Sequence, residues 1–273
     1  MNYYDNSQFG VCSYSYIHSC TAMEFLQRLG DMGFVEFELM VYPGHLWPAH
    51  ATPSQIRALR SFIEKNNFTL TSLNMPNLDI NLASMNEAMR RYCVEHFESV
   101  ISLAGELGAT GVVLGPGKVN QLFPEKKKVL EANFFNSLDK LIPLSEKAGV
   151  SLFVENMPPS FFSRAKDIMA CVECYGNDDI GILYDLTNGF FVGDDLLQGL
   201  KTLQSRLRLI HISDTPLETY RHSSVGEGEM PWSKIPAMLK EIGYDKRVIM
   251  EIIDPNPDEC VPQSVKYLKE AGW

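Results

Sequence analysis

Four apolar runs in this 273-residue chain stop at side chains that ligate metals or move protons. "LRLIHISD" breaks off at His211, "VSLFVEN" ends near Glu155, "IGILYD" stops at Asp185 and "RVIMEII" reaches Glu251. Taken singly, an ionisable group at the end of a buried segment reads as a helix cap or a salt-bridge partner. Four at equivalent places read differently. If the ends meet, three carboxylates repel one another unless protons or a cation compensate them. One imidazole with three carboxylates suits one divalent ion, Mn2+, Mg2+, Co2+ or Zn2+, the oxygen donors leaning toward the harder ions.

Whether the ends meet depends on the elements that carry them. Short β-rich apolar runs fall at 9–15, 34–40, 70–75, 111–115, 150–155, 180–185, 207–213 and 247–253. Segments of helical period separate them, at 21–32, 52–66, 86–107, 124–148, 163–175, 194–204, 232–242 and 258–271. Thr52 followed by Pro53 reads as an N-cap with proline in the first turn. Gly108, Gly149 and Gly243 each close a helix before a strand. Eight βα units in strict alternation predict parallel strands closing into a single-domain α/β (β/α)8 TIM barrel over 1–273. A doubly wound open sheet would want a glycine-rich turn after an early strand, and "SYSYIHSCT" has no glycine. In the barrel, the C-terminal ends of strands five to eight converge on one mouth, bringing Glu155, Asp185, His211 and Glu251 with them.

The bulk numbers narrow the partners. Lys and Arg number 24 against 34 Asp and Glu, a net charge of -10, which disfavours a phosphate backbone as ligand. No run approaches the length of a membrane span, and "MNYYDNSQFG" lacks the basic and apolar regions of a signal peptide. The expectation is a cytoplasmic protein with its six cysteines reduced. Cys171-x-x-Cys174 lies in a helical stretch with no second pair, and is read as two unrelated helix cysteines.

"VENMP", "YDLTN", "IHISD" followed by "HSSVGEGEMPW", and "IMEI" resemble strand ends of the xylose isomerase-like barrel superfamily, which includes sugar isomerases and epimerases, inosose dehydratase and endonuclease IV-type repair enzymes. Strand order carries the resemblance along nearly the whole chain, and the specific motifs lie in 150–254. It implies one metal held by Glu155, Asp185, His211 and Glu251. The repair members carry further zinc ligands where this chain has Asn74, Gly115, Asn188 and Tyr220-Arg221-His222, so the nuclease reading loses its extra metals as well as its electrostatics. Asn74 and Asn188 become candidate substrate contacts.

The resemblance implies proton transfer beside a carbonyl. A hydroxy-ketone chelated by the metal would lose its α-proton to give an enediolate that the cation stabilises, with Glu155 and Glu251 as base and acid. One glutamate on each face gives epimerisation, a single shuttling glutamate gives isomerisation, and loss of water gives a dehydratase. A non-catalytic barrel that binds a polyol is the alternative outside enzymology. In "DTPLETYRHSSVGEGEMPW", Arg221 and His222 are candidate substrate contacts and Asp214 a candidate partner of His211. In "VYPGHLWPAH", His45 and Trp47 are candidates to meet a sugar's hydroxyls and apolar face. The loops that cradle phosphate in many barrels read "VGEGEMPW" and "DPNPDE" here, both acidic, which points to an unphosphorylated sugar or polyol. Self-association through the outer helices is left open.

Overall fold

The computed structural model describes residues 6–76 and 80–273. Residues 1–5 of the polar opening stretch, and Asn77 at the end of "LNMPN", lie outside the described residues. The strands are β1 (Gly10–Cys12), β2 (Glu36–Met40), β3 (Thr69–Asn74), β4 (Gly111–Leu114), β5 (Ser151–Glu155), β6 (Gly181–Asp185), β7 (Leu207–Ile212) and β8 (Ile249–Met250). They close in chain order into a parallel eight-stranded barrel, β8 pairing back onto β1. Helical crossovers impose this: α1 (Ala22–Asp31), α2 (Pro53–Lys65), α3 (Glu87–Leu107), α4 (Lys127–Ala148) and α5 (Ala165–Tyr175) each return the chain to the same edge in the same direction. After β6 come α6 (Leu186–Phe191) and α7 (Leu196–Leu203), and the circuit ends with α8 (Ile235–Glu241) and α9 (Pro257–Glu270).

The helix ends follow local chemistry. Thr52 accepts from the Gln55 backbone while the Gln55 side chain accepts from the Thr52 N–H, and Pro53 opens the first turn, giving a complete capping box. Gly108 and Gly149 stop α3 and α4 in the left-handed region, at φ 76° and 68°. Cys171 and Cys174 both lie on α5 as free thiols, one buried and one exposed. Among the described residues no helix is long and apolar enough to cross a membrane.

Strand alternation splits the interior in two. Phe37, Leu39, Val112, Leu114, Ile182, Tyr184, Ile210 and Ile212 face the helices, whereas Cys12, Met40, Val113, Phe153, Leu183, Leu209 and Ile249 fill the barrel itself. Phe153 takes much of the lower bore because Gly111 on β4 and Gly181 on β6 leave room for its ring on either side. A Cβ on Gly111 would sit 2.1 Å from the Phe153 ring, and one on Gly181 2.9 Å from it. Burying that ring stabilises the barrel by about 2–3 kcal/mol and closes its floor to water.

Two expected boundaries shift and one helix is added. β1 ends at Cys12, with a 3-10 turn at Tyr14–Tyr16 where extended chain was expected. β8 ends at Met250, yet the Glu251 N–H still donates to Ile212 O at 2.9 Å and stays pinned beside β7. α6 was not anticipated. It starts on β6 without a linker because Asp185 is its N-cap, accepting from the Asn188 N–H at 2.9 Å.

Candidate metal centre

Parallel register brings the four strand ends together. Asp185 pairs with His211 across β6 and β7, Glu155 with Leu183 one inward step before Asp185, and His211 with Ile249 one inward step before Glu251, so all four side chains point inward at the mouth. Glu155, Asp185, His211 and Glu251 each offer a ligand atom within 4.8 Å of the others, and all four are buried. His211 Nδ1 lies 3.7 Å from Glu155 Oε1 and 3.5 Å from Glu251 Oε2. Two of the buried donor atoms, His211 Nδ1 and Asp185 Oδ2, have no hydrogen-bond partner. Buried polar atoms are almost always satisfied, so two orphans facing one point mark a place for something that accepts lone pairs.

The electrostatics agree. Burial and then the charge of Glu251 push the Glu155 carboxyl well above its usual range, with His211 opposing. Burial also raises Asp185, with His222 opposing and Glu251 adding to the rise. Burial would lower the His211 imidazole, but Glu38 and Glu251 outweigh it and hold it well above its ordinary value. Without a cation the cluster holds on to protons. The donor set, the orphaned atoms and the excess of acid all fit a divalent ion held by Glu155, Asp185, His211 and Glu251.

A fourth carboxylate was not singled out in the sequence. Glu38 on β2 is fully buried, and its Oε2 is 3.2 Å from His211 Nε2. Ser72 Oγ donates to Oε2 at 2.6 Å and Asn74 Nδ2 to Oε1 at 3.0 Å. Burial would raise its carboxyl, but the charge and hydrogen bond of His211 and the bonds from Ser72 and Asn74 hold it below the usual range. Asn74 Nδ2 also lies 3.5 Å from Glu251 Oε1, which ties the two acids together. Cys12, Glu38 and Glu251 form a second close group that shares Glu251 with the first.

On the other side stands His222. Its Nδ1 is 3.4 Å from Glu251 Oε2 and 3.8 Å from Asp185 Oδ2. A chain of partners accounts for the proton on its Nε2. Asn188 Nδ2 donates to Asn156 O (2.8 Å), so Asn188 Oδ1 accepts the Tyr220 hydroxyl proton (2.6 Å), and the Tyr220 oxygen is left to accept from His222 Nε2–H (2.8 Å). Nδ1 lies 3.0 Å from Ser213 Oγ and 3.2 Å from the Glu251 carbonyl oxygen, which can only accept. Tyr220 was read only as a departure from the nuclease pattern, and its part in this chain emerges from the fold.

Three of the expected roles are corrected. Asp214 does not touch His211, whose Nε2 faces Glu38; Asp214 Oδ1 accepts from the Thr215 and Met230 N–H groups, and Oδ2 from the Gly226 N–H and Trp232 Nε1, at 2.8–3.1 Å. It is the hub of its own loop. His45 has no nitrogen free for a substrate hydroxyl. Its Nδ1 donates to Cys20 O (2.7 Å), and Nε2 accepts from Ser13 Oγ (2.9 Å), which in turn accepts from the Met40 N–H. Burial lowers its pKa, in keeping with a neutral ring that fastens the first two βα loops. Trp47 packs on His96 at 4.7 Å between centroids and lines a cavity of about 330 Å3 with Met23, Ile56 and Leu59, away from the four acids. Arg221 is exposed, joined to the loop through its backbone N–H on Thr215 Oγ1.

Comparison with known proteins agrees with this architecture. A protein of Methanocaldococcus jannaschii, MJ1311, of uncharacterised function, is 24% identical over 96% of this chain and 88% of its own length. A D-psicose 3-epimerase of Ruminiclostridium cellulolyticum is 21% identical over 83% of this chain and 76% of its own. The crystal structure of a D-tagatose 3-epimerase-like protein superposes with a TM-score of 0.82 at 25% identity, covering 96% of both chains. Residues 26–271 match the family model described as xylose isomerase-like TIM barrel, and with a closed eight-stranded barrel carrying a Glu/Asp/His/Glu cluster at its mouth the chain belongs to that family.

Proposed function

We propose that this protein is a divalent-metal-dependent epimerase acting at the carbon beside the carbonyl of a small, unphosphorylated ketose. The observation that carries the reading is the buried cluster of Glu155, Asp185, His211 and Glu251, with His211 Nδ1 and Asp185 Oδ2 unpartnered inside it. When bound, the ion supplies positive charge that acidifies a carbon-bound proton next to a carbonyl. Glu155 and Glu251 flank His211 from β5 and from the end of β8, which suits one carboxylate to each face of a substrate. One removes the proton and the other returns one from the opposite side. Their burial excludes water that would otherwise compete for the proton.

Epimerisation is favoured over isomerisation because relatives along most of the chain are named 3-epimerases of ketoses. Tyr220, half-exposed and hydrogen-bonded to both Asn188 and His222, is our candidate to meet a substrate hydroxyl at the rim, with those two residues holding its ring in place. The loops after β7 and β8 carry Glu227, Glu229 and Asp254, and Asp258 and Glu259 open α9 behind them, a poor surround for a phosphate.

Solvent exchange tests the reading. Incubating protein, Mn2+ and a panel of ketopentoses and ketohexoses in D2O, with phosphorylated counterparts alongside, should put one deuterium beside the carbonyl of at least one free sugar. Glu155→Gln and Glu251→Gln should each abolish it, with ion content measured in parallel. A metal-loaded protein that exchanges no proton from any ketose would overturn the proposal, and exchange confined to phosphorylated sugars would overturn its substrate class.

A further inference from the structure

We infer that Glu38 is a positioning residue for the metal centre, fixing the His211 ring so that its Nδ1 lone pair points at the ion. This rests on the metal-binding part of the proposed function and extends it to a residue outside the ligand set.

The geometry is specific. Glu38 and His211 are both fully shielded from solvent, and the carboxylate, which can only accept, lies 3.2 Å from Nε2. The proton of a neutral ring therefore sits on Nε2, and the bare nitrogen is Nδ1, which is the one that faces Glu155 and Glu251. Turning the ring over would set a carbon against the carboxylate. Glu38 is itself held still. Ser72 pairs with Glu38 across β2 and β3, and Asn74 pairs with Met40, so the strand register delivers the hydroxyl and the amide that occupy its oxygens. Because Ser72 and His211 share Oε2 while Asn74 fills Oε1, the carboxylate has little freedom to rotate.

Packing alone does not account for this residue. Met40, on the same inward face of β2, is apolar, as are Val113, Leu183 and Leu209 on other staves. A buried carboxylate is costly where a Leu or Met of like volume would not be, and partners of metal-ligating imidazoles typically contribute about 10- to 100-fold in ion affinity. A glutamine would offer one acceptor oxygen to three donors and would lose the charge that attracts the ring proton.

Calorimetric titration with Mn2+ and with Co2+, without substrate, tests the inference on wild type, Glu38→Gln, Glu38→Asp and Glu36→Gln. Glu36 lies on the same strand and face but bonds Thr71 and Arg247 below the site. Glu38→Gln should bind each ion about 10- to 100-fold more weakly, Glu38→Asp should fall between it and wild type, and Glu36→Gln should match wild type. In the Zn2+-loaded protein, 15N spectra should place the His211 proton on Nε2, and Glu38→Gln should weaken that signature. At saturating Mn2+, Glu38→Gln should regain most of the exchange rate, since Glu38 does not touch substrate. Wild-type affinity in a folded Glu38→Gln, or an equal loss in Glu36→Gln, would overturn the inference. If Glu38→Gln fails to fold, unchanged affinity in Glu38→Asp does so instead. A wild type that binds neither ion would sink the metal reading itself, a separate result.

Discussion

Asp214→Ala gives the sharpest test of how the loop beside the site is built, because the magnitude follows from counted donors. The carboxylate is 1% exposed and accepts four hydrogen bonds, from the N–H groups of Thr215, Gly226 and Met230 and from Trp232 Nε1. Those of Thr215, Met230 and Trp232 are buried. Each donor left without a partner costs about 1–3 kcal/mol, so three would cost roughly 3–9 kcal/mol. Water entering the vacated space recovers part of this, and the expected loss is about 3–5 kcal/mol. Rearrangement is restricted, since a Cβ on Gly228 would already sit 2.3 Å from Asp214 Oδ1 and 2.5 Å from the Thr215 nitrogen. The backbone pairing of Asp214 with Ser223, at 2.9 and 2.8 Å, survives the substitution, so the variant should still fold. Urea unfolding should show the loss with an unchanged slope, thermal melting should fall by roughly 10 °C, and the Met230 and Gly226 amides should lose exchange protection. A loss below about 1 kcal/mol would refute the hub assignment.

Two further outcomes follow from the site. In the metal-free protein, Glu155, Asp185 and His211 all have pKa values raised on folding, so each favours the folded state below its unfolded value and loses that contribution as pH rises through the raised one. Stability of the metal-free protein should therefore decline from the ordinary carboxylate range upward, while Mn2+ binding should release protons and tighten with pH; calorimetry in buffers of different ionisation enthalpy measures the release, and pH-independent affinity between about 5.5 and 7.5 would contradict the assigned shifts. Glu38, whose pKa is lowered, acts in the opposite sense and withdraws its stabilisation only as pH falls through that lowered value. Tyr220→Phe removes the oxygen that accepts from His222 Nε2–H and should cost about 10-fold in exchange rate. Its effect on stability should stay near 1 kcal/mol because the bonds lost are only partly buried; an unchanged rate would remove Tyr220 from the site.

The barrel and its four ligand-type side chains were legible for one reason: every one of them ends an apolar run, and a βα repeat sends such ends to one face. His45 and Trp47 were misplaced by the same logic. They follow β2 at the correct face, but nothing local reveals that Cys20 O and Ser13 Oγ claim the imidazole, since those partners lie 25 and 32 residues away. Asp214 was assigned to His211 by proximity along the chain, whereas its four donors come from the loop that folds back over it. The length of β8 was overestimated because "RVIMEII" is uniformly apolar around Glu251, and ladder pairing stops at Met250 with no change in composition to mark it.

Glu38 has a signal of its own in the alternation of its strand. In "EFELM" the glutamates alternate with Phe37 and Leu39, a pattern that in an antiparallel sheet means one face in water. In a closed barrel neither face is in water, so the glutamate face must point into the bore. Glu36, at the lower end, meets Arg247 and stays partly exposed. Glu38, one step higher on the same face, has no arginine beside it and is held by Ser72, Asn74 and His211 instead. The parity that placed Glu155, Asp185, His211 and Glu251 at the mouth also places Glu38 beneath them. An acidic residue in the second inward layer of a barrel strand is thus readable as support for the layer above it, before any coordinates are known.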